Sequence, residues 1–244
     1  MNDPEYTNPF ADVHRKAKAF KDRAREANKN AAELRESRAV QEGSKNVQAS
    51  DRLRDKEALP SHLPGTTRRH EAHFYHDDAS FVVGMAWFIE AALQSGNAII
   101  VLATESHRKS LVRRLQAHGV DIAAAIEQGR YFPLDVAETL ATFMVNDLPD
   151  RVRFLKVTGD LIAAATKAAT GAPPRVAACG EGAPTLWAQG MAHAAIQLEH
   201  LWDEIARTCH VDIMCGYVLE RSQRKGEIYT YERICAEHSA VHSL

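Results

Sequence analysis

Residues 71–81 read EAHFYHDDASF, an aromatic strand-like stretch running into a helix-like one. At such a junction a nucleotide-binding protein carries close-set glycines, a lysine for the β/γ-phosphates and a hydroxyl for the metal. This stretch has no glycine and no lysine, and Ser80 is its one aliphatic hydroxyl. The adjacent acids Asp77 and Asp78 would repel a triphosphate. Hydrogen bonding remains: Tyr75 offers a hydroxyl and Asp77 a carboxylate, while His73 falls within the strand. Asp77 and Asp78 also suit the start of a helix, as cap or as partner of its dipole. A second polar group is Thr104-Glu-Ser-His-Arg108, in which Thr104 or Ser106 caps a helix and His107 sits in its first turn. Asp135 and Glu181 each follow a short apolar run. Cys179, Cys215, Cys235 and His238 could meet around a metal only if their strands were neighbours; buried apolar thiols are the expectation, with no metal and no cofactor. Neither a Ser-His-Asp nor a Cys-His arrangement carries a catalytic reading, so no catalytic residue is assigned and the chain is not expected to be an enzyme.

Elements positioning these residues follow from periodicity. His73–Tyr75, Ala98–Ala103, Arg130–Asp135, Arg175–Cys179 and Val211–Tyr217 read as strands. The run at 98–103 is apolar throughout, as in a strand buried on both faces. Pro133 marks an edge or an early end. Helices are expected over 81–93, 106–118, 137–144, 151–170, 183–209 and 229–242, with Gly96 and Gly119 as stops. Strands alternating with helices predict an α/β fold of three layers, a mainly parallel sheet flanked by helices. Ligands in such sheets sit beyond the carboxyl ends of the strands. That rule gathers Tyr75, Asp77, Thr104, His107, Asp135 and Glu181 at one rim.

The 244 residues carry a formal net charge of -2 and 45% hydrophobic residues, which argues against nucleic-acid binding by the whole chain. No apolar run approaches a membrane span, and the start, MNDPEYTNPF, is no secretory signal. Four cysteines without CxxC spacing fit reduced thiols in a cytoplasmic protein. Residues 1–65 form a charged arm, partly helical or disordered, with a heptad seam at Val13, Ala17, Phe20, Ala24, Ala27, Ala31 and Leu34. A Pro- and Gly-containing linker, 59–65, precedes the second unit, 66–244. The alanine-rich seam suits a solvated helix, or one that docks on a partner.

His73-Phe-Tyr75, Gly96-Asn-Ala-Ile-Ile-Val-Leu-Ala-Thr104, His107-Arg108, Gly129-Arg-Tyr-Phe-Pro-Leu-Asp135 and Gly180-Glu181 occur in an order that resembles the methanogen/methylotroph sensory domain, MEDS. Leu198-Glu-His-Leu-Trp202, Cys215-Gly-Tyr217 and Ile234-Cys-Ala-Glu-His-Ser239 continue the series. The resemblance implies a relative of RecA/KaiC-type ATPases that has lost nucleotide binding. It implies a sensory domain for a small molecule, such as a one-carbon compound or a hydrocarbon derivative. The expected partner is a signalling or transcription-control protein, with the N-terminal arm as one route to it, and a homodimer is a further expectation. Under this resemblance His73 becomes a ligand-binding residue and Glu181 a carboxylate that orients a ligand or a cation. Two features depart from the family: Cys179 stands where an aromatic is usual, and neither a kinase nor a helix-turn-helix module is apparent. The alternative reading is a protein-interaction scaffold with a non-binding pocket; a third is a hydrolase or transferase using Glu181 and a histidine.

Overall fold

The structure is a computed structural model that describes residues 69–218 and 228–243. The expected arm and linker, 1–65, lie outside the described residues.

Chain order is β1 (His70–Tyr75), α1 (Asp78–Gln94), β2 (Ala98–Ala103), α2 (Glu105–Ala117), α3 (Ile122–Glu127), β3 (Tyr131–Asp135) and α4 (Val136–Phe143). Then come β4 (Met144–Val145), β5 (Leu148–Pro149), α5 (Arg151–Ala168), β6 (Val176–Gly180), α6 (Gly182–Ala188), α7 (Ala192–Cys209), β7 (Asp212–Val218), α8 (Ile228–Ala236) and β8 (Ala240–Ser243). Six strands form one parallel sheet in the order β3-β2-β6-β7-β1-β8, and β4 and β5 form a small antiparallel hairpin.

Alternation along the strands builds two cores. Ile100, Leu102, Ala178 and Ile213 face α4 to α8 on one side. Ile99, Val101, Ala177 and Met214 face α1, α2 and α3 on the other. The result is the three-layer α/β arrangement expected from the pattern. Every residue of β2 is buried, as its unbroken apolar run requires. Pro133 lies on β3, an edge of the sheet, where an absent N–H costs no pairing. Among the described residues no helix is long and apolar enough to cross a membrane.

Two expectations are corrected. The long helical region after β6 is two helices, broken at Gly190 with φ +79. Residues 229–242 are not one helix: α8 stops at Ala236, and Ala240–Ser243 pairs in parallel with β1. That strand forms because β1 offers it an open edge. The hairpin 144–149 was not anticipated; Asn146 (φ 50) and Asp147 (φ 62) make its turn in the left-handed region.

Candidate functional site

β2 and β6 are neighbours, but the helices that follow them cover opposite faces of the sheet. The crevice between two such strand ends is where open α/β folds place a ligand. Here Thr104 leaves β2 and Glu181 leaves β6. Thr104 caps α2, its Oγ1 accepting the His107 N–H at 3.4 Å. Glu181 occupies the N-cap position of α6 but makes no capping hydrogen bond. Its carboxylate turns across the crevice instead. Glu181 Oε1 accepts the Thr104 backbone N–H at 2.6 Å, and the two carboxylate oxygens accept from His107 Nδ1 at 2.8 and 2.9 Å.

The other ring nitrogen of His107, Nε2, lies 3.7 Å from Asp78 Oδ1. Burial by itself would lower the His107 pKa. The hydrogen bonds and charges of Asp78 and Glu181 outweigh it and raise the pKa to about 9. His107 is therefore an imidazolium near neutrality, held between carboxylates from the ends of β1 and β6, with Phe81 against its ring at 4.5 Å. With both ring N–H groups facing acids, it has no lone pair with which to take a proton. The arrangement suits binding and positioning better than general-base chemistry. Beside it, Arg108 pairs with Asp135 at 3.1 Å, tying the end of β2 to that of β3. Asp135 also caps α4 through the Glu138 N–H at 3.0 Å.

A groove of about 620 Å³ opens from this point between α1 and α2, lined by Asp78, Val82, His107, Arg113, Arg114 and His118 among others. Its α2 wall is basic and its α1 wall largely apolar. Arg114 Nε is buried there with no hydrogen-bond partner.

Thr104, His107 and Glu181, predicted from the strand-end rule, converge, and Asp135 lies beside them through Arg108. Asp77 does not join them. It caps α1 in a reciprocal box with Ser80, whose N–H donates to Asp77 Oδ1 at 2.7 Å, and this bond holds the carboxyl below its ordinary range. Its neighbour Asp78 reaches His107 in its place. Tyr75 is not at the rim. Its ring is buried beneath α1, its hydroxyl has no hydrogen-bond partner, and it packs where a side chain on Gly84 would stand. Burial raises its pKa well above the ordinary tyrosine value. His73 sits mid-strand and engages Glu71 at 3.3 Å and the ring of His242 at 4.5 Å, at the β8 edge of the sheet. The four-residue metal grouping also separates. Cys179 is packed in the α1–α3 core, whereas Cys215 belongs to the α4–α8 core.

Sequence reasoning missed the basic wall. His107, Ser110, Arg114 and His118 follow each other at three or four residues and so share one face of α2. That spacing was the available signal.

The family model described as "MEthanogen/methylotroph, DcmR Sensory domain" (MEDS) matches residues 69–228, more than half of the chain. No curated protein matches it.

Proposed function

Since this chain belongs to the MEDS family of sensory domains, we propose that it binds a small organic molecule in the groove between α1 and α2 and relays occupancy to a regulatory partner. The observation that carries this reading is His107, an imidazolium held at the mouth of the groove by Asp78 and Glu181. A ligand with an acidic or strongly polar head could take the place of Asp78 on His107 Nε2, with Arg113 and Arg114 nearby. Its apolar stem would lie along Val82, Val83 and Ala117. One-carbon compounds and short hydrocarbon derivatives fit that description when they carry an oxygenated head. Asp78 is the first residue of α1, so its release loosens the start of that helix. The relay is then a population shift, and only a ligand with different affinity for the two arrangements moves it. No turnover is proposed. A cytoplasmic setting, and descent from a RecA/KaiC-type ancestor that lost its phosphate loop, belong to the same reading.

The test is thermal denaturation of the full chain with formate, longer carboxylates, methanol, formaldehyde, halomethanes and Mg-ATP. A ligand at a hundred times its dissociation constant adds about 2.7 kcal/mol. A shift with an oxygenated organic compound that disappears in His107→Gln supports the reading. A shift with Mg-ATP overturns the loss of nucleotide binding. If nothing shifts the transition, the protein-interaction scaffold becomes the better account.

A further inference from the structure

On the opposite face of the sheet from His107, four side chains that can ligate a metal meet with almost no solvent access. His70 opens β1, Cys215 lies on the adjacent strand β7, Glu199 comes from α7, and His238 follows α8. All four are buried. We propose that His70, Glu199, Cys215 and His238 bind one divalent metal ion, zinc by the chemistry of the set, and that it clamps the C-terminal segment onto the sheet. This site is separate from the groove, and the inference does not depend on the groove binding anything.

Three observations carry it. First, the spacing fits. Glu199 Oε2 lies 3.1 Å from His70 Nε2, 3.4 Å from His238 Nε2 and 3.2 Å from Cys215 Sγ, and that sulfur is 3.4 Å from His70 Nε2. All four ligand atoms lie within 4.8 Å of one another. Tetrahedral zinc, with ligands at about 2.0–2.3 Å, sets its ligand atoms about 3.3–3.8 Å apart. Adjustments of a few tenths of an ångström complete the polyhedron.

Second, the tautomers point inward. His70 Nδ1 faces the Glu237 carbonyl at 3.2 Å, and His238 Nδ1 faces the Ile234 carbonyl at 2.6 Å. A carbonyl can only accept, so each Nδ1 carries its proton. Each Nε2 of a neutral ring then turns a lone pair toward the Glu199 carboxylate. Backbone carbonyls hold metal-bound histidines in this way. His238 Nε2 makes no hydrogen bond at all.

Third, the charges balance. Protonating both rings around one carboxylate leaves a net positive charge in the interior, which is costly. A divalent ion with one carboxylate and one thiolate sums to zero; the Cys215 thiol proton leaves to solvent as the ion enters. Tyr217 donates its hydroxyl proton to Glu199 Oε1 and fixes the carboxylate from behind. Four protein ligands leave no open position, so the ion would be structural or regulatory, not catalytic. It would join β1, β7, α7 and the segment leading into β8.

The test is the full chain produced in cobalt-supplemented medium, because the site is buried. The expected result is roughly one equivalent of Co(II), with strong tetrahedral bands in the visible and a thiolate-to-cobalt charge-transfer band in the near ultraviolet. Cys215→Ser should lose the charge-transfer band. Cys179→Ser and Cys235→Ser should keep it. His73→Ala should also keep it, which separates this site from the shallower Glu71, His73 and His242 group. If Cys215→Ser does not fold by circular dichroism, His238→Gln is measured, with loss of the tetrahedral bands expected. Folded wild-type protein without a charge-transfer band, or a band unchanged in folded Cys215→Ser, overturns the proposal.

Discussion

His107 keeps its charge at a place from which burial alone would remove it, and that has a measurable consequence. Its folded pKa, about 9, is raised above the ordinary histidine value. The stability it contributes is fully present below about pH 6.5 and is lost as pH rises through about 9. The melting temperatures of the wild type and His107→Gln should therefore differ most near about pH 6 and converge by about pH 10. A gap that stays constant over that interval would mean that the ring is neutral in the folded protein. Glu181→Gln keeps the shape but removes one of the two charges holding the imidazolium, and the Thr104 N–H can still donate to the amide oxygen. We expect a loss of about 1–3 kcal/mol, read from urea denaturation near neutral pH. An unchanged midpoint would argue that the pair is incidental. Thr104, His107 and Glu181 were readable in the sequence because each directly follows, or lies one turn beyond, a strand that announces itself. Tyr75 was misplaced at the rim because a strand's last residue can point either to the mouth or under a helix, and the pattern does not distinguish them. His70 and Glu199 could not be paired at all without knowing that β1 lies beside β7.

Backbone spacing between β2 and β6 sets the geometry of the crevice. Gly180 ends β6, and a Cβ added there would stand 2.6 Å from the Leu102 carbonyl oxygen and 2.8 Å from the Leu102 Cβ. Both are parts of a central strand that cannot swing aside. Gly180→Ala should push the strand ends apart, carry Glu181 away from His107, and destabilise the fold by about 1–3 kcal/mol. It should also abolish the pH-dependent difference expected from His107→Gln. A folded Gly180→Ala protein that retains that difference would show that the strands tolerate the methyl group. At this scale the central strands and α1, α2, α4 and α5 were legible, because their periodicities are long and locally consistent. The hairpin 144–149, the break at Gly190 and β8 were not. Two-residue strands have no period. One glycine inside an apolar helical pattern reads equally as a break or as a tolerated gap. β8 carries no strand pattern of its own and owes its conformation to an edge far away in sequence.

Across the whole molecule, the groove between α1 and α2 and the segment at α8 and β8 lie on opposite sides of the sheet. If groove occupancy is relayed, hydrogen exchange with the groove filled should change in residues 10–40 or in α8. Unchanged exchange in both, at ligand concentrations that raise the melting temperature, would sink the relay while leaving binding intact. The sheet order has a further consequence, for the sequence of events in folding. β1, the first described strand to be synthesised, lies between β7 and β8, and its residue Glu71 is registered against Ala240. It can acquire neither neighbour until nearly the whole chain is available, so its closure rests on contacts of high sequence separation, which form slowly. A nascent chain halted before residue 240 would present an open edge of β1, a template for pairing with another copy. Ending the chain at Ala236 should therefore give a protein that scatters light on refolding where the full chain does not, and a monodisperse truncated product would show that β1 needs no such cover.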